Sequence, residues 1–187
     1  MKGCLLAGGV LVLVAVVFGL ALMGMYNGVV AKDEACNKTW ANVESALQRR
    51  FDLIPNLVNT VKGYAAHEKG VLEEVTRLRS QWGEAKTQAE KVGVASMLEG
   101  AMGRLMVVME NYPELKADKN FLALQDELAG TENRINVERQ RYNESVQIYN
   151  TTVRQMPTAL LARLAGFAAR APFEAAEGAE TAPTVEF

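Results

Sequence analysis

The sequence predicts an all-α membrane protein, with an N-terminal transmembrane helix followed by an elongated antiparallel helical bundle. Three observations carry that expectation. The stretch from Cys4 to Tyr26 is almost wholly apolar, with no charged residue between Lys2 and Lys32. Beyond it, apolar residues recur at alternating intervals of four and three, the spacing of helices packed lengthwise on one another. Only five prolines interrupt 187 residues, and aromatic residues make up 7% against abundant Ala, Leu, Val, Glu and Arg, which suits helices better than a β-sandwich.

The first element is the run CLLAGGVLVLVAVVFGLALMGMY. At about 1.5 Å per residue a helix of this length covers the roughly 30 Å hydrocarbon core of a bilayer. Tyr26 and Asn27 then stand where an interfacial aromatic and a first polar residue belong. The competing reading is a cleaved secretory signal, with Lys2 as its basic end and a small-residue site near Gly19 and Ala21. The apolar run exceeds the roughly 7–15 residues of a signal's core, and Leu22 and Met23 continue it past that site, so an anchor is favoured over cleavage. Ala15 and Gly19, four apart, would let two such helices approach closely. Lys2 on one side is balanced by Lys32 and Lys38 on the other, so the positive-inside rule sets no orientation. Cys4 and Cys36 would lie at opposite ends of the span and cannot pair within one chain, and Cys4 is too near the start to follow a lipoprotein-type signal.

After the span, Trp40, Val43, Leu47, Phe51 and Ile54 form the apolar face of a first soluble helix, expected to end or kink before Pro55. Asp52 is expected to cap a second helix, with Pro55 in its first turn. Its seam is Leu57, Val61, Tyr64, Glu68, Val71, Val75, Leu78 and Trp82, in which Glu68 is the polar exception. Gly93 marks a possible break before a helix carrying Val94, Leu98, Ala101, Leu105, Val108 and Tyr112, closed by Asn111 to Pro113. From about Asp118 a long helix carries Phe121, Leu124, Leu128, Ile135, Tyr142, Val146, Tyr149, Val153 and Met156. The expected organisation is an anchor over 1–27, a bundle over 28–156, a short amphipathic helix over 157–170 and a disordered acidic tail over 171–187. On the short helix Leu160, Leu161, Leu164 and Phe167 form the apolar face, suited to a membrane surface, a neighbouring subunit or the bundle itself.

No catalytic, cofactor-binding or metal-binding constellation is visible. His67 is the one histidine, and no second histidine follows it at the spacing of an HExxH zinc site. There is no glycine-rich phosphate loop and no nucleophile elbow. A net charge of −2 argues against a nucleic-acid binder. The polar residues set in or beside apolar seams are Arg50, Asp52, Asn56, Asn59, Glu68, Glu132, Asn133, Arg134, Tyr142, Asn143 and Asn150, with Pro55 among them. Between long helices such groups fix register and partner choice at some expense in stability.

The segment RRFDLIPNLVNTVKGYAAHE from Arg49 to Glu68, and YPELKADKNFLALQDELAGTENRINVERQRYNESVQIYN from Tyr112 to Asn150, follow an N-terminal span ending in Tyr26-Asn27. Together they closely resemble the LemA family of bacterial membrane proteins, from the anchor to about Phe173. The resemblance implies a transmembrane helix, a mostly helical soluble part, no established enzymatic activity, and a link to membrane protein quality control that includes a membrane metalloprotease as a candidate partner. It also implies a short N-terminus outside the cell. Ala171 to Glu174, APFE, departs from the Pro-Tyr-Phe-Glu-like run often found there.

The expected function is that of a non-catalytic scaffold or adaptor in the bacterial inner membrane, with the lipid bilayer and further copies of itself as partners, no nucleic acid and no cofactor. Two alternatives are a membrane-shaping protein, and an enzyme or ligand-binding protein with its site near His67, Glu68 and the Glu132 to Arg134 segment.

Overall fold

A computed structural model describes the backbone of residues 2–65 and 68–173, with side chains from Gly8 onward. His67 and the tail over 174–187 lie outside the described residues. Among the described residues all regular structure is helical: α1 (Lys2–Lys62), α2 (Lys69–Glu84), α3 (Gln88–Met109), α4 (Pro113–Ala117), α5 (Lys119–Arg154) and α6 (Thr158–Leu164). The fold is all-α, with a long apolar N-terminal helix preceding a helical domain. The described residues divide into two compact units, one of residues 2–41 and 140–172, the other of residues 42–139 with Phe173.

α1 begins with an apolar stretch long enough to cross a membrane, and none of its most apolar part is buried by the rest of the chain. Exposed side chains such as Leu11, Leu13, Phe18 and Leu20 need another apolar medium to cover them. From Val29 onward one face turns inward. Val29, Cys36, Val43, Arg50 and Leu57, each seven residues apart, are buried, and Leu47, Ile54 and Val61 form the companion row.

α1 runs straight through Pro55, where the sequence pointed to a boundary. Proline has no N–H to give to the preceding turn, and inside a helix it costs about 3 kcal/mol. Phe51, Leu53, Ile54, Leu57 and Val58 are buried around it. Each side chain of that size contributes about 1.5–3 kcal/mol on burial, so packing outweighs the proline. Asp52 therefore lies within a helix and is no N-cap; its carboxylate accepts a hydrogen bond from Gln48 Nε2 at 2.8 Å, one turn earlier. The break falls instead between Lys62 and Lys69, beginning at Gly63, a poor helix former. The apolar row expected to be one helix from Leu57 to Trp82 is thus shared between α1 and α2, and Glu68 stands on the turn.

In the 42–139 unit, α2 and α3 pack on each other. They form a hairpin closed by a capping box: Glu90 N–H donates to Thr87 Oγ1 at 3.2 Å, and Thr87 N–H donates to Glu90 Oε2 at 3.0 Å. α3 passes through Gly93, so the break expected there lies at residues 85–87. α3 is also apolar and long enough to cross a membrane, but it buries Val94, Ala95, Leu98, Ala101, Met102, Leu105 and Met109 within the protein and is a core helix. α1 and α5 run antiparallel in this unit, since Arg49 meets Glu127 and Tyr64 meets Asp118, numbers rising on one helix as they fall on the other.

Asp118 caps α5, accepting from the Phe121 N–H at 2.9 Å. That bond, aided by the Tyr64 hydroxyl and against some burial, holds the Asp118 carboxyl below the usual carboxylate range. A folded-state pKa below the unfolded value of about 4 stabilises the fold above that pH, and the stabilisation is lost as pH falls through the folded value. Stability to urea should therefore decline as pH falls below about 5, and Asp118→Asn, which can still cap but cannot titrate, should flatten that decline. Urea unfolding followed by circular dichroism across that range checks it.

In the other unit α5 again runs against α1, with Tyr142 on Trp40 at a centroid distance of 5.5 Å and Tyr149 near Asp33 and Cys36. α6 is shorter than the 157–170 helix expected. It closes at Gly166, whose φ of 81° only glycine adopts without strain. The Gly166 N–H reaches the Arg163 carbonyl at 3.3 Å and the Phe167 N–H reaches the Ala162 carbonyl at 2.9 Å, a Schellman closure. The chain then continues without regular structure through Phe173.

Candidate interaction site

In the 42–139 unit Arg50, 8% exposed, sits in the heptad row of α1 and forms a salt bridge with Glu132 on α5. Glu132 also accepts from Asn136 Nδ2 at 3.2 Å. Arg50 lines a groove of about 570 Å³ together with Glu99, Met102, Met106, Leu128 and Glu132, and its Nε has no hydrogen-bond partner among the described residues. Other pairs tie neighbouring helices: Lys91 to Glu44, Arg104 to Glu74 at 2.8 Å, and Arg139 to Glu99 at 3.4 Å. The Arg139 guanidinium also lies 4.3 Å over the ring of Phe173, a cation–π contact.

In the other unit the polar residues of α5 hold the irregular segment after α6. Tyr149 Oη donates to the Ala168 carbonyl at 2.9 Å, and Tyr142 Oη donates to that of Ala171 at 3.1 Å. Asn150 makes a pair with the Arg170 backbone, donating to its carbonyl at 2.8 Å and accepting from its N–H at 2.9 Å. The Arg170 side chain reaches Asp33 on α1 at 2.9 Å. An extended segment has no ladder of its own, so these side chains satisfy backbone groups that would otherwise be costly to bury. Burial first, and then the Asp33 carboxylate, pushes the Tyr149 hydroxyl up from its ordinary pKa.

Cys36 lies in the same unit, fully buried. Burial raises its thiol pKa, Asp33 adds to the rise and Arg170 opposes it. A maleimide should leave Cys36 unmodified in the folded protein and modify it in urea, as mass spectrometry of its peptide would show.

The residues singled out in the sequence thus separate. Arg50 and Glu132 meet across helices, and Tyr142 and Asn150 clasp backbone. Glu68, just ahead of α2, accepts from the hydroxyl of Tyr112, between α3 and α4, at 3.2 Å. Pro55 and Asn143 are half-buried, and Asp52, Asn56, Asn59, Asn133 and Arg134 are exposed. No group of three or more metal-ligating side chains occurs among the described residues. Two further polar residues, Thr131 and Glu138, are buried on α5. Their spacing of seven, each three residues after Leu128 or Ile135, would have placed them in the packed face.

The sequence profile of the LemA family matches residues 39–187. The chain belongs to the LemA family. It is 29% identical over 182 residues to magnetosome protein MamQ 2 of Paramagnetospirillum magneticum, covering 83% of this chain and 67% of that protein. With magnetosome protein MamQ of Magnetospirillum gryphiswaldense it shares 29% identity over 189 residues, covering 87% and 69%. Protein LemA of Metamycoplasma hominis is 23% identical over 138 residues, covering 73% and 63%. The matched residues include Arg50 and Glu132 in one unit and Tyr142 and Asn150 in the other. The exposed apolar stretch of α1 lies ahead of it and marks this LemA-family chain as a membrane protein.

Proposed function

We propose that this LemA-family protein is a single-pass protein of the bacterial cytoplasmic membrane whose helical domain acts as a non-catalytic scaffold. The observation that carries this reading is the use made of its inward polar groups. Arg50, Glu132, Arg139 and Glu99 join helices, and Tyr142, Tyr149 and Asn150 hold backbone, so the chemistry fixes shape and register. The bilayer, further copies of the chain and a membrane quality-control protein such as a metalloprotease are its partners in this reading.

Crosslinking in native membranes followed by mass spectrometry tests it. Crosslinks between copies of the helical domain, and from it to another membrane protein, are expected. A domain that crosslinks only within its own chain would contradict the scaffold role. One observation favours a second reading, a ligand-binding protein: Arg50 lines a groove with its Nε unpartnered. A small acceptor that protects the protein against heat, with protection lost in Arg50→Met, would support that reading instead.

A further inference from the structure

α6 turns its two alanines inward and two of its three leucines outward, with Leu161 half-buried. Ala159 and Ala162 are buried, whereas Leu160 is 57% exposed and Leu164 89% exposed, one turn apart on the same face. Met156, just before the helix, is 69% exposed. A short helix facing water is expected to do the opposite. Single exposed leucines are ordinary, but Leu160 and Leu164, stacked one turn apart, form a small apolar patch, with exposed Met156 in the turn that precedes the helix.

The position of this patch says what covers it. Immediately after the Gly166 closure, the Phe167 ring packs on Tyr26 at a centroid distance of 5.9 Å. Tyr26 ends the apolar stretch of α1, at the level where an interfacial aromatic stands. Leu22, one turn earlier, and the adjacent Met25 are only half-exposed, whereas every residue from Gly8 to Leu20 is exposed. The end of α6 therefore lies beside α1 at the place where α1 leaves its apolar medium. Arg154 and Arg163, both exposed, flank the patch and suit lipid phosphates.

We propose that α6 seats in the interfacial layer of the bilayer that α1 crosses, with Leu160 and Leu164 at the acyl-chain boundary and Arg154 and Arg163 among anionic headgroups. The proposal rests on the reading of α1 as a membrane span. It gives the protein a second point of attachment, which would hold the 140–172 region against the membrane surface.

Spin labels test it on the full chain with Cys4→Ser, in mixed phosphatidylcholine–phosphatidylglycerol vesicles; Cys36 is buried and stays unlabelled. Labels are placed singly at Leu160→Cys, Leu164→Cys, Val14→Cys in the span and Val107→Cys on the exposed side of α3. Relaxation by oxygen, which concentrates in lipid, is compared with relaxation by a nickel chelate, which stays in water. Labels at 160 and 164 should favour oxygen severalfold, as at 14, while the label at 107 favours nickel. Replacing phosphatidylglycerol with phosphatidylcholine should lower the oxygen preference at 164 and leave that at 14 unchanged. A nickel preference at 160 and 164, with oxygen still favoured at 14, would overturn the proposal and leave the span intact. Spin–spin broadening at 164 would also overturn it, because a second copy would then cover the patch. A nickel preference at 14 would remove the span reading itself.

Discussion

Trp82→Ala should lower the free energy of unfolding by about 3–5 kcal/mol, the range for truncating a buried large aromatic. Trp82 is 5% exposed on α2 and stacks on Phe51 of α1 at a centroid distance of 4.6 Å, with the planes 13° apart. Its Nε1 donates to Gln48 Oε1 at 2.7 Å, and the Lys91 ammonium lies 5.5 Å from the ring centre. One side chain thus joins α1, α2 and α3, and a cavity there has contacts to lose on every side. With a urea slope of about 2 kcal/mol per molar, the midpoint should fall by about 2 M. Trp82→Phe keeps a ring on Phe51 but loses the N–H bond to Gln48 and part of the buried indole volume, so it should lose about 1–3 kcal/mol, less than Trp82→Ala. A Trp82→Ala midpoint close to that of the unaltered protein would show that α2 is not held to α1 by this contact.

Arg50 should show the second large effect, and its sign should depend on the replacement. Arg50→Ala removes a packed stem and leaves Glu132 without its cation. Breaking a buried ion pair costs about 3–5 kcal/mol, and the lower end is expected here because the Glu132 side chain is 37% exposed and water can reach it. Arg50→Met fills a similar volume and should stay within about 1.5 kcal/mol of the unaltered protein. Equal losses in the two variants would mean that charge pairing, not volume, dominates at this site. A fully folded Arg50→Met that no longer forms the same crosslinks between copies would assign the pair to register and partner choice.

The packed rows were legible because a helix repeats its buried face every seven residues: Leu57, Val75, Leu78, Tyr142, Val146 and Tyr149 all point inward. Periodicity carries phase but not continuity. It runs unbroken from Leu57 to Trp82 and hides the end of α1 at Lys62, so Glu68 falls in the phase of a seam it does not occupy. At Pro55 a local steric signal was outweighed by the apolar side chains buried on both sides. At Gly93 a weak helix former drew the boundary away from Thr87 and Glu90, whose three-residue spacing was the stronger signal. Arg50 was legible as a charge in an apolar row. The partners of Tyr142 and Asn150 were not, because they are backbone groups of an extended segment that carries no repeat.

Anchoring of a self-standing helical domain through residues 1–27 is tested most directly by alkaline carbonate extraction of membranes carrying the full chain, set beside circular dichroism of a variant lacking those residues. The full chain should stay with the membrane pellet, and the shortened variant should be released and strongly helical. A full chain released by carbonate, or a shortened variant without helical signal, would contradict it.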